Sequence, residues 1–147
     1  MPFSTALKLI KLWPPYLGAG IKVKSFSDDY SELTVEMNQT VLNSNYVGVH
    51  FGGSLYSMCD PFYMLMMMQL LGRDYIVWDK ESTIKFIRPG KGRVHATFKL
   101  SKELVAKVKA QADGGDKVLP TFDVYIYNEQ GEEVALVTKT LYVKKKS

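Results

Sequence analysis

The chain has 147 residues, 46% hydrophobic and 23% charged, which reads as a single globular domain over 1–147 with room for a core. Of the net charge of +4, Lys144, Lys145 and Lys146 in a basic tail at 144–147 supply three, so the near-neutral body offers no broad nucleic-acid footprint. One cysteine and two histidines exclude an intramolecular disulfide, argue against a metal site and fit a reducing cytoplasm.

Phe3–Trp13 reads as a short amphipathic helix with Ser4 as a cap and Pro14-Pro15 as its stop, so residues 1–15 are expected to cover an open end of the core. Lys8 and Lys11 interrupt this first apolar stretch, which argues against a signal peptide. Ile21–Asn38 holds two alternating runs, Ile21/Val23 and Leu33/Val35/Met37, around the polar turn Ser27-Asp28-Asp29. They predict a strand pair or one long bent strand, buried on one face. An Asn-rich loop over Thr40–Gly48 follows.

From Leu55 to Leu71 almost every residue is apolar, apart from Ser57, Asp60 and Gln69. A helix apolar on all sides is surrounded by protein, so this stretch predicts a buried central helix. Its apolar run Pro61–Met68 is far too short to span a membrane. Gly52-Gly53 lies at its expected start, where unpaired N–H groups favour negative charge. Asp60 lies inside the run, where a carboxylate is costly unless it is paired, hydrogen-bonded or functional. The plain alternative is that Asp60 is the N-cap of a helix starting at Pro61. If the helix runs through from Gly53, Pro61 should bend it. Cys59 reads as buried filler rather than a nucleophile.

After Gly72 the pattern turns to strands. Ile76–Ile87 is one, with Ile84 and Phe86 facing one way, and Arg88–Arg93 is a turn. Val94, Ala96, Phe98 and Leu100 alternate with polar residues in a second. Ser101–Ala112 predicts a short helix ended by Asp113–Asp116. Phe122/Val124/Ile126 and the run from Val134 to Val143 form a hairpin about Asn128–Gly131. One apolar helix with five or six hairpin-connected strands is most simply buried by an antiparallel sheet curled around it, an α+β architecture.

This order of elements resembles the hot-dog fold. The local pattern resembles the acyl-CoA thioesterases of the phenylacetate-pathway type: Asn45, Gly48, Gly52-Gly53 and Asp60 match that family's Asn, Gly, Gly-Gly and catalytic Asp in spacing. The stretch GVHFGGSLYSMCDP is closer still to a bacterial hot-dog branch that carries Phe-Gly-Gly, described as tetrameric acyl-CoA thioesterases. One departure stands out: the family's His before Gly-Gly is Phe51 here, and His50 lies one position earlier, which suits a structural histidine better than a catalytic one.

The resemblance implies thioester hydrolysis of a fatty-acyl or aryl-acyl coenzyme A, with coenzyme A as part of the substrate and no separate cofactor. Asp60 would be base or nucleophile, with burial expected to tune it, Asn45 would hold the water or the carbonyl, and Gly52-Gly53 would supply oxyanion donors. Phe51 and Met64 would border the acyl group, since the helix lines the acyl tunnel in this fold and Met suits irregular apolar ligands. Lys85, Arg88, Lys91 and Arg93 gather at a glycine-bearing turn. They suit the phosphates of coenzyme A, or equally a solvated strand end. The site would be shared across a dimer or dimer of dimers. Two further readings stand: a non-catalytic acyl-thioester-binding protein, and a hot-dog dehydratase or hydratase in which only His50 could serve as base.

Overall fold

The computed structural model describes Met1–Ser147. Its elements in order are α1 (Phe3–Leu9), a 3-10 turn (Ile10–Leu12), α2 (Pro14–Ala19), β1 (Ile21–Phe26), β2 (Glu32–Met37), α3 (Gly52–Ser57), α4 (Phe62–Leu71), β3 (Tyr75–Phe86), β4 (Val94–Lys99), α5 (Lys102–Asp113), β5 (Thr121–Tyr127) and β6 (Glu133–Lys145). The strands form one antiparallel sheet in the order β1-β2-β4-β5-β6-β3. This is the α+β hot-dog architecture that the element order implies.

Alternation fixes which strand faces bury. Along β6, Val137, Lys139, Leu141 and Val143 point inward and are fully buried, while the residues between them are half-buried. Across the sheet, α4 lays Phe62 and Tyr63 against Phe98, with ring centroids 5.4 and 5.0 Å apart. Tyr63 also stacks on Phe122 at 4.7 Å. Its hydroxyl donates to the Asp123 carbonyl at 3.2 Å, as a buried phenol requires.

Local expectations are refined or corrected. Pro14-Pro15 does more than stop a helix: the chain leaves helix at Trp13, extended before the proline, and Pro14 opens α2, since proline is tolerated in a first turn whose N–H groups need no helical partner. Ser4 caps nothing: α1 starts after Pro2 without a side-chain cap. The apolar stretch is two helices in sequence, with Met58–Pro61 as a turn between them. The first residue of α4 follows Pro61, and no side chain caps it, so Asp60 is not its N-cap. Leu7 and Tyr16 are buried, and the Tyr16 hydroxyl donates to the Ser57 carbonyl at 2.6 Å, bracing the end of α3.

β3 is an edge strand, paired only with β6, and its register shifts between Asp79 and Glu81. The extra residue there is a bulge. It places Val77 and Asp79 opposite Val143 and Leu141, and Ser82, Ile84 and Phe86 opposite Lys139, Val137 and Ala135. Both halves of the strand therefore share the inward face with Lys139.

Candidate active site

The loop before α3 is held by side chains rather than by a ladder. Buried Asn43 donates through Nδ2 to the carbonyls of Ala19 and Asn38 at 2.7 and 2.6 Å, and its own carbonyl accepts from the Phe51 amide at 2.8 Å. Gln39 donates to Gly48 O and Ser44 Oγ and accepts from the Gly92 amide. Asn45 Oδ1 accepts from the amides of Val47 and Val49 at 3.1 and 3.2 Å, an Asx turn that suits asparagine. Its Nδ2 has no partner within the protein.

His50 ties this loop to the Arg88–Arg93 turn. Its amide donates to the Gly90 carbonyl at 2.9 Å, and Nε2 lies 2.6 Å from the Gly92 carbonyl, which fixes Nε2 as the protonated nitrogen. Gly90 packs closely there: a Cβ would meet Val134 Cγ1 at 3.2 Å and the His50 ring at 3.5 Å. Burial lowers the imidazole's proton affinity, against the opposing pull of the Gly92 bond. A histidine whose folded value lies below its unfolded one stabilises fully above about pH 6.5 and loses that contribution as pH falls below it. The thermal midpoint is therefore expected to drop between pH 7.5 and pH 5, and a His50→Gln variant should flatten that slope. A slope identical in both proteins would place its origin elsewhere.

Loop and turn together enclose a groove of about 440 Å³, lined by Asn45, His50, Gly52, Leu55, Phe86 and Arg88 among others. The amides of Gly52 and Gly53 donate to no protein acceptor. Two rings cover the glycines: a Cβ on Gly52 would meet Phe86 Cζ at 3.0 Å, and one on Gly53 would meet Phe51 Cε2 at 2.5 Å. Phe86, 59% exposed, lines the groove, whereas Phe51, 57% exposed, and Gly53 lie outside its lining. Met64 is not at the groove; it packs partly buried against the core.

The basic residues divide. Arg88 donates from Nε to the Glu133 carbonyl at 2.7 Å and from Nη1 to Glu132 at 2.9 Å. Arg93 donates to Asn38 Oδ1 at 2.9 Å. Lys85 and Lys91 are exposed and enter no ion pair.

Asp60 does not line the groove of its own chain, and it is not sunk in apolar surroundings as the sequence suggests. Its side chain is 50% exposed and pairs with Lys139, whose side chain is 1% exposed, at 2.9 Å through Oδ1. The Tyr56 hydroxyl also reaches Oδ1 at 3.3 Å and accepts from Lys139 Nζ at 3.1 Å. Asp79 Oδ1 lies 3.2 Å from the same ammonium, but without the alignment of a hydrogen bond. Burial raises the Asp79 carboxyl above its usual range, opposed by the nearby lysine. Burial pulls the Lys139 ammonium down, and the bonds to Asp60 and Tyr56 with the two carboxylate charges more than offset it. Burial also pushes up the Cys59 thiol, which suits filler rather than a nucleophile.

The structure thus forms two polar centres: a groove with free amides, and a lysine shared by two acids. Lys139, Tyr56 and Asp79 belong to no motif. Only the strand alternation Val137, Lys139, Leu141, Val143 points to Lys139.

No curated protein matches the chain by sequence. Solved structures share its fold at low identity. A Pseudomonas aeruginosa protein of unknown function, described as a probable thioesterase, is 20% identical with a TM-score of 0.83, over 99% of this chain and 97% of that one. A Chlorobaculum tepidum protein of unknown function is 19% identical with a TM-score of 0.80, over 98% and 95%. A Haemophilus influenzae thioesterase is 16% identical with a TM-score of 0.70, over 95% and 88%. A family model matches residues 3–143. With that match over nearly its whole length, the chain belongs to the family described as a domain of unknown function, DUF4442.

Proposed function

We propose that the protein is a thioesterase that hydrolyses a fatty-acyl or aryl-acyl coenzyme A. The observation that carries this reading is the pair of unbound amides at Gly52 and Gly53, with Gly52 and the Asn45 side chain lining one groove. Such donors stabilise the oxyanion that develops when a thioester carbonyl is attacked. The names of two structural neighbours are consistent with it.

In this reading Asp60 Oδ2 takes a proton from water as the hydroxide adds to the thioester carbonyl. The oxyanion accepts from the Gly52 amide, and Asn45 Nδ2 donates to the water or the carbonyl. Collapse breaks the C–S bond, and the departing thiolate takes the proton back from Asp60. The products are the free acid and coenzyme A thiol. Phe51 and Phe86 border the acyl group, and Lys85 and Lys91 are the cations available to its phosphates, with Arg88 and Arg93 behind them.

Since Asp60 lies outside its own chain's groove, the complete site needs a second copy, as a dimer or a dimer of dimers. The free edge of β3 offers unpaired backbone groups for that contact. Light scattering at micromolar concentration is expected to give at least twice the 16.6 kDa chain mass; a monomer would remove the shared site. The function itself is tested by thiol release across acyl-CoA lengths, aliphatic and aromatic.

One observation favours a non-catalytic acyl-thioester-binding protein: Phe51, not histidine, covers Gly53. Binding of acyl-CoA without thiol release would select it. The hydratase reading loses support because His50 is buried, with Nε2 donating to the Gly92 carbonyl and the basic Nδ1 closed off inside the protein.

A further inference from the structure

We infer that Lys139 is a positioning residue for Asp60, fixing one carboxylate oxygen from inside the protein so that the other is presented to the substrate. The inference rests on the thioesterase reading above.

Lys139 is the one cationic side chain of the protein that is fully buried. Burying an ammonium is costly, and apolar side chains in place of the whole group of charges would pack there with less penalty. Packing alone therefore does not account for a lysine at this point of β6. What its charge does is visible in its contacts. Nζ grips Asp60 Oδ1 at 2.9 Å, and the Tyr56 hydroxyl bonds to both Nζ and Oδ1, so three groups form a closed triangle. The Tyr56 ring lies beside the same ammonium, its centroid 5.4 Å from Nζ.

These groups come from different segments: Tyr56 from α3, Asp60 from the turn before α4, and Lys139 from β6. A half-exposed aspartate would otherwise exchange rotamers. Here Oδ1 is held and Oδ2 bonds to nothing in the protein, leaving it as the reactive oxygen. Asp79, 3.2 Å from Nζ on β3, shares the lysine's charge, so the pair does not become a neutral unit. Preorganising a reactive group in this way is worth most when the support is rigid and buried.

The test is the kinetics of Lys139→Met in the full-length protein, assayed below its unfolding temperature. Turnover is expected to fall by about one to two powers of ten, as for a misplaced catalytic group, with KM for acyl-CoA within about twofold, because phosphate and acyl contacts are untouched. Combined with Asp60→Asn, the second substitution should add no further loss, since both act on one carboxylate. Multiplying losses, or an unchanged turnover in Lys139→Met, would overturn the inference while leaving the thioesterase reading in place. If Lys139→Met does not fold, Tyr56→Phe decides. It removes one bond to Oδ1, and should lower turnover about threefold to tenfold at unchanged KM, roughly the worth of one hydrogen bond; wild-type turnover in that variant overturns the inference. A wild-type protein inert toward every acyl-CoA is a different failure, that of the thioesterase reading itself.

Discussion

Replacing Asp60 with asparagine is expected to lower thioester turnover by two to four powers of ten, roughly the worth of a positioned general base. The shape and most of the bonding at Oδ1 survive, so the loss reports the charge. The sequence alone suggests that stability would hold or rise, as for removal of an unpaired buried charge. The ion pair with Lys139 reverses that expectation. Asparagine leaves a buried ammonium with Asp79 as its sole carboxylate, and the variant should lose about 1–2 kcal/mol, the low end for a bond to a charged group because Asp60 is half-exposed. A capping role predicts near-normal stability with asparagine and a loss of about 0.5–2 kcal/mol with alanine, but no helix start uses this side chain. Thiol release and urea unfolding on the same preparation measure both effects. Full activity in a well-folded Asp60→Asn protein would eliminate Asp60 as the base.

Lys139→Met should produce the largest loss of stability, about 2–3 kcal/mol, less than for a fully buried stranded charge because Asp60 and Asp79 are both partly exposed. Two carboxylates then face each other without a counter-charge. Adding Asp79→Asn should restore part of that loss, because one stranded charge is removed. The pH dependence has a definite sign. The Asp79 carboxyl is already held above its usual range by burial, with the lysine opposing, so losing the lysine moves it further up. A carboxyl raised in the folded state destabilises only when ionised, so its cost is absent below about pH 3.9, its unfolded value, and grows as pH rises. The deficit of Lys139→Met is therefore expected to be widest near neutrality and to narrow toward pH 4. A deficit independent of pH would mean that lost packing, not stranded charge, sets it.

The α+β class, the hairpins and the strand faces are legible in the sequence because period-two alternation survives in β4, β5 and β6. Asn45 and Gly52, singled out by the family resemblance, line one groove. The partner of Asp60 is not legible, because it lies 79 positions away, across a pairing that only the folded sheet defines. Lys139 could be placed inward by counting from Val137 and Leu141. Asp79 could not: counting back by twos from Phe86 and Ile84 reaches Lys80 and Trp78, and the irregularity before Glu81 moves the inward positions to Asp79 and Val77. The pause at Met58–Pro61 is legible only as an alternative. Asp60-Pro61 does offer a helix start, and α4 begins just after it, but the apolar residues on either side carry no periodicity that separates two helices from one bent helix.

That irregularity in β3 also bears on how the protein behaves when concentrated. A 12-residue edge strand is a template for runaway strand addition if it is long, flat and uncharged. The bulge bends the strand and deepens its local twist. Lys80, Glu81 and Lys85 place charge along it. A straight strand from an unrelated or unfolded chain would meet this edge out of line. The feature that sets Asp79 beside Lys139 therefore also makes this edge a poor template for seeding aggregates.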